Sequence, residues 1–406
     1  MMKRRTFLAS TLVTAAAASL PGQALGSVLR FAKPRGAKDV DHAVVYRNDA
    51  EFCAWPYTTG FWEAANGHLV QNFMIARGDY SDAAKISHDV IGTGGARLVS
   101  IRSTDRGRTW DAPRPYKFER LAEHDGSGES LAELGPIDFT NKDVFVWSSS
   151  SSFGTPESRP YVRISKNAGK TWSRAYRLPL DGLPAISANA SQMVRPDGRS
   201  LLFLTMISKD GWSRRPMVYG SVPDGSTWHF MSFITPKQDP WGAADGDWKS
   251  TFRFGGHRWF YPRAQMLPSG RILCTLRCQR DPTGVMWTEL YFSDDGARTW
   301  HFLSRVNDFG APGSLVRLRD GRLVCVYGYR LPPYGIRACV SEDEGRAWGP
   351  EIVVRDDGGS WDLGYPNAIE AEPGRIMVIY YFNSKYDRIQ ANGGVRHIAR
   401  TLFTVD

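Results

Sequence analysis

One eight-residue phrase is written five times in this chain: Ser103 to Trp110 (STDRGRTW), Ser165 to Trp172 (SKNAGKTW), Ser221 to Trp228 (SVPDGSTW), Ser293 to Trp300 (SDDGARTW) and Ser341 to Trp348 (SEDEGRAW). The shared pattern is Ser-x-Asp/Asn-x-Gly-x-Thr-Trp, with the acid slipping by one position between copies. Asp or Asn beside Gly makes a tight turn, because the short side chain caps its own backbone while Gly accepts positive φ. Thr and Trp then open the next strand, and the indole fills the gap between that turn and a neighbouring strand. Each copy is therefore a hairpin turn with its own hydrophobic pin, a structural device rather than a reactive centre. Repetition at intervals of roughly 50 to 70 residues marks a solenoid or a propeller.

The phrase resembles the Asp-box of sialidases and their relatives, and the resemblance covers Asp41 to Val405. It implies an all-β fold, a six-bladed β-propeller whose blades are each four antiparallel strands, the first lining a central channel. A second recurring phrase places the strands. Short turns at Gly67-His68, Asp197-Gly198-Arg199, Ser269-Gly270-Arg271, Asp320-Gly321-Arg322 and Gly374-Arg375 sit between apolar runs, as turns between first and second strands should. Six units follow, at roughly 51–120, 121–182, 183–236, 237–309, 310–360 and 361–406. The family topology implies that the N-terminal strand His42 to Arg47 returns as the fourth strand of the last blade and closes the ring, removing exposed sheet edges.

Residues 1–26 read as a twin-arginine export signal. Lys3-Arg4-Arg5-Thr6-Phe7-Leu8 precedes an Ala-rich apolar stretch to Leu20, and Ala24-Leu25-Gly26 offers small residues to a signal peptidase. The expectation is a periplasmic or secreted protein, with 27–40 as a linker and 41–406 as the propeller. No other apolar run is long enough to cross a bilayer. Loss of Lys3, Arg4 and Arg5 with the signal takes the formal charge from +9 to +6, a balance that suits an acidic glycan. No Lys/Arg run carries interleaved aromatics, so a nucleic-acid partner is set aside. The five cysteines (Cys53, Cys274, Cys278, Cys325, Cys339) are an odd number, and the C-x₃-C pair lacks the further ligands zinc needs; they read as buried small hydrophobes. No metal or cofactor is expected, and the chain is read as a monomer.

The rim opposite the Asp-boxes gathers the starts of first strands and the ends of second strands. Those positions hold Trp55, Tyr261, Arg263, Arg277, Arg330, Tyr365 and Tyr381, with Arg337 opening the next strand. Several guanidiniums in one concavity bind a carboxylate or sulfate in forked fashion. The sialidase pattern uses three arginines on the substrate carboxylate, a tyrosine nucleophile with a glutamate partner, and an aspartate as general acid. The resemblance places the second arginine at Arg277, the third at Arg330 and the nucleophile at Tyr365. The first arginine is replaced by Ala54-Trp55-Pro56, its supporting glutamate by Tyr380-Tyr381, and the tyrosine's glutamate partner by Tyr261. Arg337 completes the expected anion clamp, Tyr261 and Arg263 are further expected substrate-binding residues, and Trp55 is a sugar-stacking platform.

The family's general acid comes from the loop Arg77 to Asp89, here Asp79 or Asp82; Glu63, Asp138, Glu370 and His257 are less well placed. The leading reading is an exported sialidase-like glycoside hydrolase acting on a sialic- or uronic-acid-bearing glycan. One alternative is a polysaccharide lyase, in which an arginine neutralises a uronate while tyrosine or histidine (His88, His257 or His397) moves protons. The other is a carbohydrate-binding propeller without catalysis.

Overall fold

The computed structural model describes residues 33–88, 95–116, 125–209, 211, 213–237, 258–279 and 285–405. The expected export signal, residues 1–26, lies outside the described residues. Six antiparallel sheets succeed one another along the chain. The first blade runs Glu51–Ala54, Leu69–Arg77, Arg97–Ser103 and Arg114–Pro115; Phe61–Glu63 continues its inner strand beyond a one-turn helix, Pro56–Thr59. The third is Ala185–Val194, Ser200–Ile207, Arg214–Ser221 and Trp228–Phe233, and the fourth Arg258–Met266, Ile272–Gln279, Met286–Ser293 and His301–Arg305. The fifth is Gly313–Arg317, Leu323–Tyr329, Gly335–Ser341 and Ile352–Arg355. The sixth takes Gly364–Glu372, Arg375–Phe382 and His397–Thr404 from the C-terminus and its outer strand, Lys38–Tyr46, from the N-terminus. Antiparallel register of His42 with Thr401 and Ala43 with Arg400 closes the six-bladed β-propeller in the way the family topology implies.

Two details differ from the expected layout. The segment 27–40 is not wholly a linker, because Arg35–Gly36 pairs parallel to the outer strand of the fifth blade and the closing strand already starts at Lys38. Among the described residues the second blade has three strands, Phe145–Ser151, Arg159–Ser165 and Tyr176–Arg177, instead of four. The chain before it leaves the sheet: the Glu129 amide bonds the Arg177 carbonyl, and the Leu131 and Ile137 amides bond the carbonyls of Ser226 and Asp224 in the third blade's Asp-box. A cavity of about 520 Å³ lies on the Asp-box rim beside this blade, lined by Phe61, Trp62, Phe139, Phe145, Val194 and Met266 among others.

Six apolar cores fill the ring, one at each blade-to-blade interface. Among the described residues the smallest lies between the first and second blades, where Ala64, Val70 and Phe145 are its fully buried members. Burial is proportional to apolar area removed from water, so this interface is the weakest in the ring. All five cysteines are buried and free of disulfides, as small hydrophobes.

The Asp-box turns work as locks within and between blades. In the first, Asp105 accepts from the Thr109 amide at 2.9 Å and the Thr109 hydroxyl at 2.6 Å, while the Gly107 amide donates to Ser103 Oγ at 2.8 Å. The second, fourth and fifth boxes repeat the amide bond, with Asn167, Asp295 and Asp343 accepting from the Thr171, Thr299 and Ala347 amides. In the third, where the acid has slipped, Asp224 instead accepts from the Ser226 amide and hydroxyl two residues on. The indole pins reach the preceding blade. Trp348 donates to Ser304 Oγ at 3.0 Å and Trp300 to Ser232 Oγ at 3.2 Å, and each serine donates onward to the box backbone.

Two outcomes are expected. Trp348→Ala, which empties a buried site and removes the donor to Ser304, should cost about 3–5 kcal/mol in denaturant unfolding, whereas Asp343→Ala should cost about 1–3 kcal/mol through lost turn hydrogen bonds. In native-state hydrogen exchange, amides of Phe145–Ser151 should exchange before those of Leu323–Tyr329, because local opening begins where least area is buried.

Candidate active site

The channel mouth opposite the Asp-boxes is built on three interrupted first strands. Trp55-Pro56, Tyr261-Pro262 and Tyr365-Pro366 each fall at a break in strand register, and the aromatic residue adopts positive φ (60°, 51° and 50°). Residues before proline prefer extended backbone, and a bulky residue in the left-handed region costs about 1–3 kcal/mol, so packing holds these three in place. Tyr365 also needs its glycine neighbour. Gly364, at φ 98°, lies so close to Gly328 of the fifth blade that an added Cβ would come within 2.7 Å of the Gly328 Cα.

Tyr365 is buried, and Arg277 Nη1 donates to its hydroxyl at 2.7 Å; the Tyr261 hydroxyl lies at 3.3 Å. Arg330 stands 5.3 Å from the Tyr365 ring centroid and donates to the Leu363 carbonyl at 3.0 Å, while Arg277 Nη2 donates to Gln279 at 3.0 Å. Both guanidiniums are buried, and among the described residues neither makes an ion pair. Buried cations without a direct counter-ion are costly, and an incoming anion would offset that cost.

A second group adjoins the first. Asp362, fully buried, accepts from the Tyr381 hydroxyl at 2.6 Å and faces His88 Nδ1 at 2.8 Å, with Arg396 Nε at 3.6 Å from its other oxygen. Burial alone would raise the Asp362 carboxyl, but His88, Arg396 and Tyr381 outweigh it and hold the group ionised, well below the usual carboxylate range. The His88 ring sits between Trp55 (4.9 Å) and Trp361 (6.1 Å) and keeps part of its surface exposed. The Tyr381 and Tyr365 rings pack at 5.7 Å, so Arg277, Tyr365, Tyr381, Asp362 and His88 form one contiguous network. Phe153 of the second blade, 43% exposed, stacks on Tyr261 at 6.0 Å and 14°.

The expected residues divide accordingly. Tyr365, Tyr261, Arg277, Arg330 and Trp55 come together. Arg337 does not: it pairs with Glu351 and stacks on Tyr329 at 3.3 Å. Arg263 lies in the channel but is spent on structure, donating to the carbonyls of Tyr57 and Ala190 and to the Asn367 side chain, with the Tyr57 ring 3.7 Å beneath it. Asp79 is an exposed loop acid bonded to Ser81 and Lys85, which pull its carboxyl down to about 2, so at neutral pH it has no proton to give. Asp82 caps the short turn Ala83–Lys85.

Glu63 pairs with Arg106 on the opposite rim, Glu370 accepts from the Arg319 and Gly374 amides, and Asp138 from Thr140. His397 is buried on the Val395 carbonyl and pushed by burial down to about 4, which leaves it neutral. His257 and Asp89 lie outside the described residues. Asp362, Trp361 and Phe153 were not singled out from sequence, because they stand in no repeated phrase.

Gly364→Ala should displace Tyr365 and lower stability by about 1–3 kcal/mol through forced positive φ. Arg263→Leu should lower the unfolding midpoint, since it orphans acceptors on three other blades. The Asp362 folded value lies below its unfolded value of about 4, so its stabilisation is complete above pH 4 and fades as pH falls further. Asp362→Asn should therefore destabilise at neutral pH while flattening the acid limb of a stability–pH curve.

Residues 135–378 match the family described as BNR repeat-like domain. A search of curated proteins finds no match. Among solved structures the chain is similar to a protein of unknown function from Dyadobacter fermentans, at 23% identity and a TM-score of 0.63, covering 90% of this chain and 99% of that one. It is also similar to the Hadza microbial sialidase Hz136, at 14% identity and a TM-score of 0.56, covering 87% of this chain and 66% of that one. The α-L-arabinofuranosidase Arb93A of Fusarium graminearum matches at 13% identity and a TM-score of 0.54, covering 91% of this chain and 97% of that one. At such identities the likeness establishes a shared propeller fold.

Proposed function

Because the chain belongs to the family of BNR repeat-like domains, we propose that its channel mouth is the active site of a glycoside hydrolase for an acidic, sialic- or uronic-acid-bearing glycan. The observation that carries this reading is the pair of buried guanidiniums, Arg277 and Arg330, facing one phenol with no ion-pair partner among the described residues. A sugar carboxylate would lie between them in forked hydrogen bonds. Tyr365 then attacks the anomeric carbon, its proton passing along its hydrogen bond to the Tyr261 hydroxyl as that hydroxyl releases its own to water, or stabilises charge there, and the Arg277 N–H meets the oxygen that changes charge. A tyrosine suits this task, because a carboxylate nucleophile would be repelled by the substrate's own carboxylate.

The proton comes from His88 rather than from Asp79 or Asp82. Asp362 orients its ring and stabilises the imidazolium, as a buried aspartate does for histidine in hydrolytic triads. His88 protonates the leaving oxygen and later, as imidazole, accepts a proton from the attacking water. Phe153 and Trp55 offer aromatic faces to the apolar side of a sugar. Named neighbours on the same fold include a sialidase and an α-L-arabinofuranosidase, which supports a glycan as the substrate class. Export by the twin-arginine signal would bring such an enzyme to extracytoplasmic glycans.

A lyase is the second reading, and one observation favours it. The proton-transfer groups in the network are phenols and an imidazole, and its one carboxylate is buried and held ionised. Arginine-neutralised uronate with Tyr365 or His88 as base fits that set.

Incubation with a panel of acidic glycans, read by mass spectrometry and by absorbance near roughly 232 nm, separates the readings. Release of a sugar with added water is the expected result, and absorbance gain without water would move the assignment to the lyase. His88→Ala should lower kcat by about 10²–10⁴, and Arg330→Gln should raise KM. Full activity in Tyr365→Phe and Arg330→Gln would sink both enzymatic readings, and a glycan that binds without turnover would leave the binding module.

A further inference from the structure

The Asp-box rim carries an opening that the reading above does not use. In the second blade the box from Ser165 to Trp172 follows Arg159–Ser165, which makes that strand the third and Phe145–Ser151 the second. The strand this blade lacks among the described residues is therefore the inner one, which in the other blades lines the channel. The cavity of about 520 Å³ lies beside that gap. Phe61 and Trp62 of the first blade line it, with Thr140, Asn141 and Lys142 ahead of the second. Val194 and Met266, which end the inner strands of the third and fourth blades, complete the lining used here. Met266 stands well beyond Tyr261 on one strand, roughly 15 Å down the channel at about 3.3 Å per residue, so the cavity and the Tyr365 site lie at opposite ends.

The walls of this cavity are held in place. Trp62 stacks on Phe145 at 5.2 Å and 8° and meets Trp172 at 5.5 Å. Glu63 beside it pairs with Arg106 at 2.7 Å. Arg195, next to Val194, pairs with Asp197 at 2.9 Å and donates to the Gly296 carbonyl at 3.2 Å. The opening is thus preformed, and its volume is usual for a small-ligand site. Phe61, Trp62, Val194 and Met266 are each part-exposed, so water meets apolar surface there that a ligand would cover. The rest of the lining is polar, with Thr140, Asn141 and Lys142 consecutive and all exposed. Glu63 and Arg195 have their charges paired, whereas Lys142 makes no ion pair among the described residues. An apolar hollow edged by hydroxyl, amide and one uncompensated cation suits a ligand with an apolar face, a hydroxyl edge and a negative charge.

We propose that this cavity is a second glycan-binding site, separate from the Tyr365 site, that takes one acidic sugar residue. The sugar ring covers Phe61, Trp62 and Met266, its hydroxyls meet Thr140 and Asn141, and its carboxylate meets Lys142. That this sugar belongs to the same polymer as the substrate rests on the function proposed above; the cavity's fit to an acidic sugar does not. A site on the face away from Tyr365 would hold another stretch of a polymeric substrate and keep the protein on it, raising the effective concentration of cleavable bonds.

Binding is read at the cavity itself from the Met266 methyl signal in NMR of methionine-labelled protein, assigned with Met266→Leu. The probes are a galacturonate tetrasaccharide, sialyllactose, a neutral galactose tetrasaccharide and octanoate. At least one acidic sugar should shift the Met266 signal, and the neutral sugar should bind about tenfold or more weakly. Lys142→Ala, at an exposed position, should weaken the acidic sugar about tenfold, and Thr140→Trp, which fills the opening, should abolish the shift. A Met266 signal unmoved by both acidic sugars at millimolar concentration, or moved by octanoate alone, overturns the site. A neutral sugar that binds as tightly, or undiminished affinity in Lys142→Ala, overturns its acidic specificity.

Absence of turnover on the glycan panel ends the proposed function and leaves this binding test standing by itself. Where turnover is found, Lys142→Ala should raise KM several-fold on an acidic polysaccharide without changing kcat, and should leave both constants unchanged on a tetrasaccharide. An unchanged KM on the polysaccharide overturns the role in holding polymer.

Discussion

Arg263 joins four blades at the axis of the ring. It stands on the fourth blade and donates to the Tyr57 carbonyl of the first, the Ala190 carbonyl of the third and the Asn367 side chain of the sixth. Asn367 continues the net to the Pro56 carbonyl and to Gln71, whose amide in turn bonds Pro56 and Gly60. A buried cation in the channel is unfavourable unless its donors are satisfied, and here carbonyls and an aromatic face satisfy them. The hub makes a floor across the channel, and the three strained aromatic residues stand on the strands that it ties together.

That floor explains how strain is tolerated at the mouth. Trp55, Tyr261 and Tyr365 each hold positive φ before a proline, an arrangement that isolated chain would abandon. The breaks turn Tyr261 and Tyr365 toward each other, 5.6 Å between ring centroids, and Trp55 toward His88 at 4.9 Å. Arg277 and Arg330, on strands beside them, are left with dipoles and aromatic faces as neighbours. Among the described residues the mouth is thus electropositive and poor in free carboxylate, a combination suited to an anionic ligand.

The site was less legible in the sequence than the ring around it. Tyr365, Arg277 and Arg330 were findable, because strand phase and turn spacing put them at strand ends on one rim. Arg337 shares that phase yet turns to Glu351, since a guanidinium goes to the nearest carboxylate and a one-dimensional pattern does not show which that is. Asp79 and Asp82 lay in the right loop but cap their own turns, a local alternative always open to aspartate. Asp362 and His88 are 274 positions apart in sequence and 2.8 Å apart in space, and no spacing rule connects them.

The sequence by itself determined the building plan: a repeated turn phrase dictates repeated units and alternating apolar runs dictate strands, while the closing of the ring by the N-terminal strand was implied by the resemblance to the sialidase family. These are local or periodic constraints, and periodicity survives in one dimension. Tertiary structure alone decided that the second blade would lack a strand, that Arg263 would become the hub, and that His88 would pair with Asp362. Each of these rests on which blade faces which across the channel, a matter of long-range packing and of where a buried charge finds its partners.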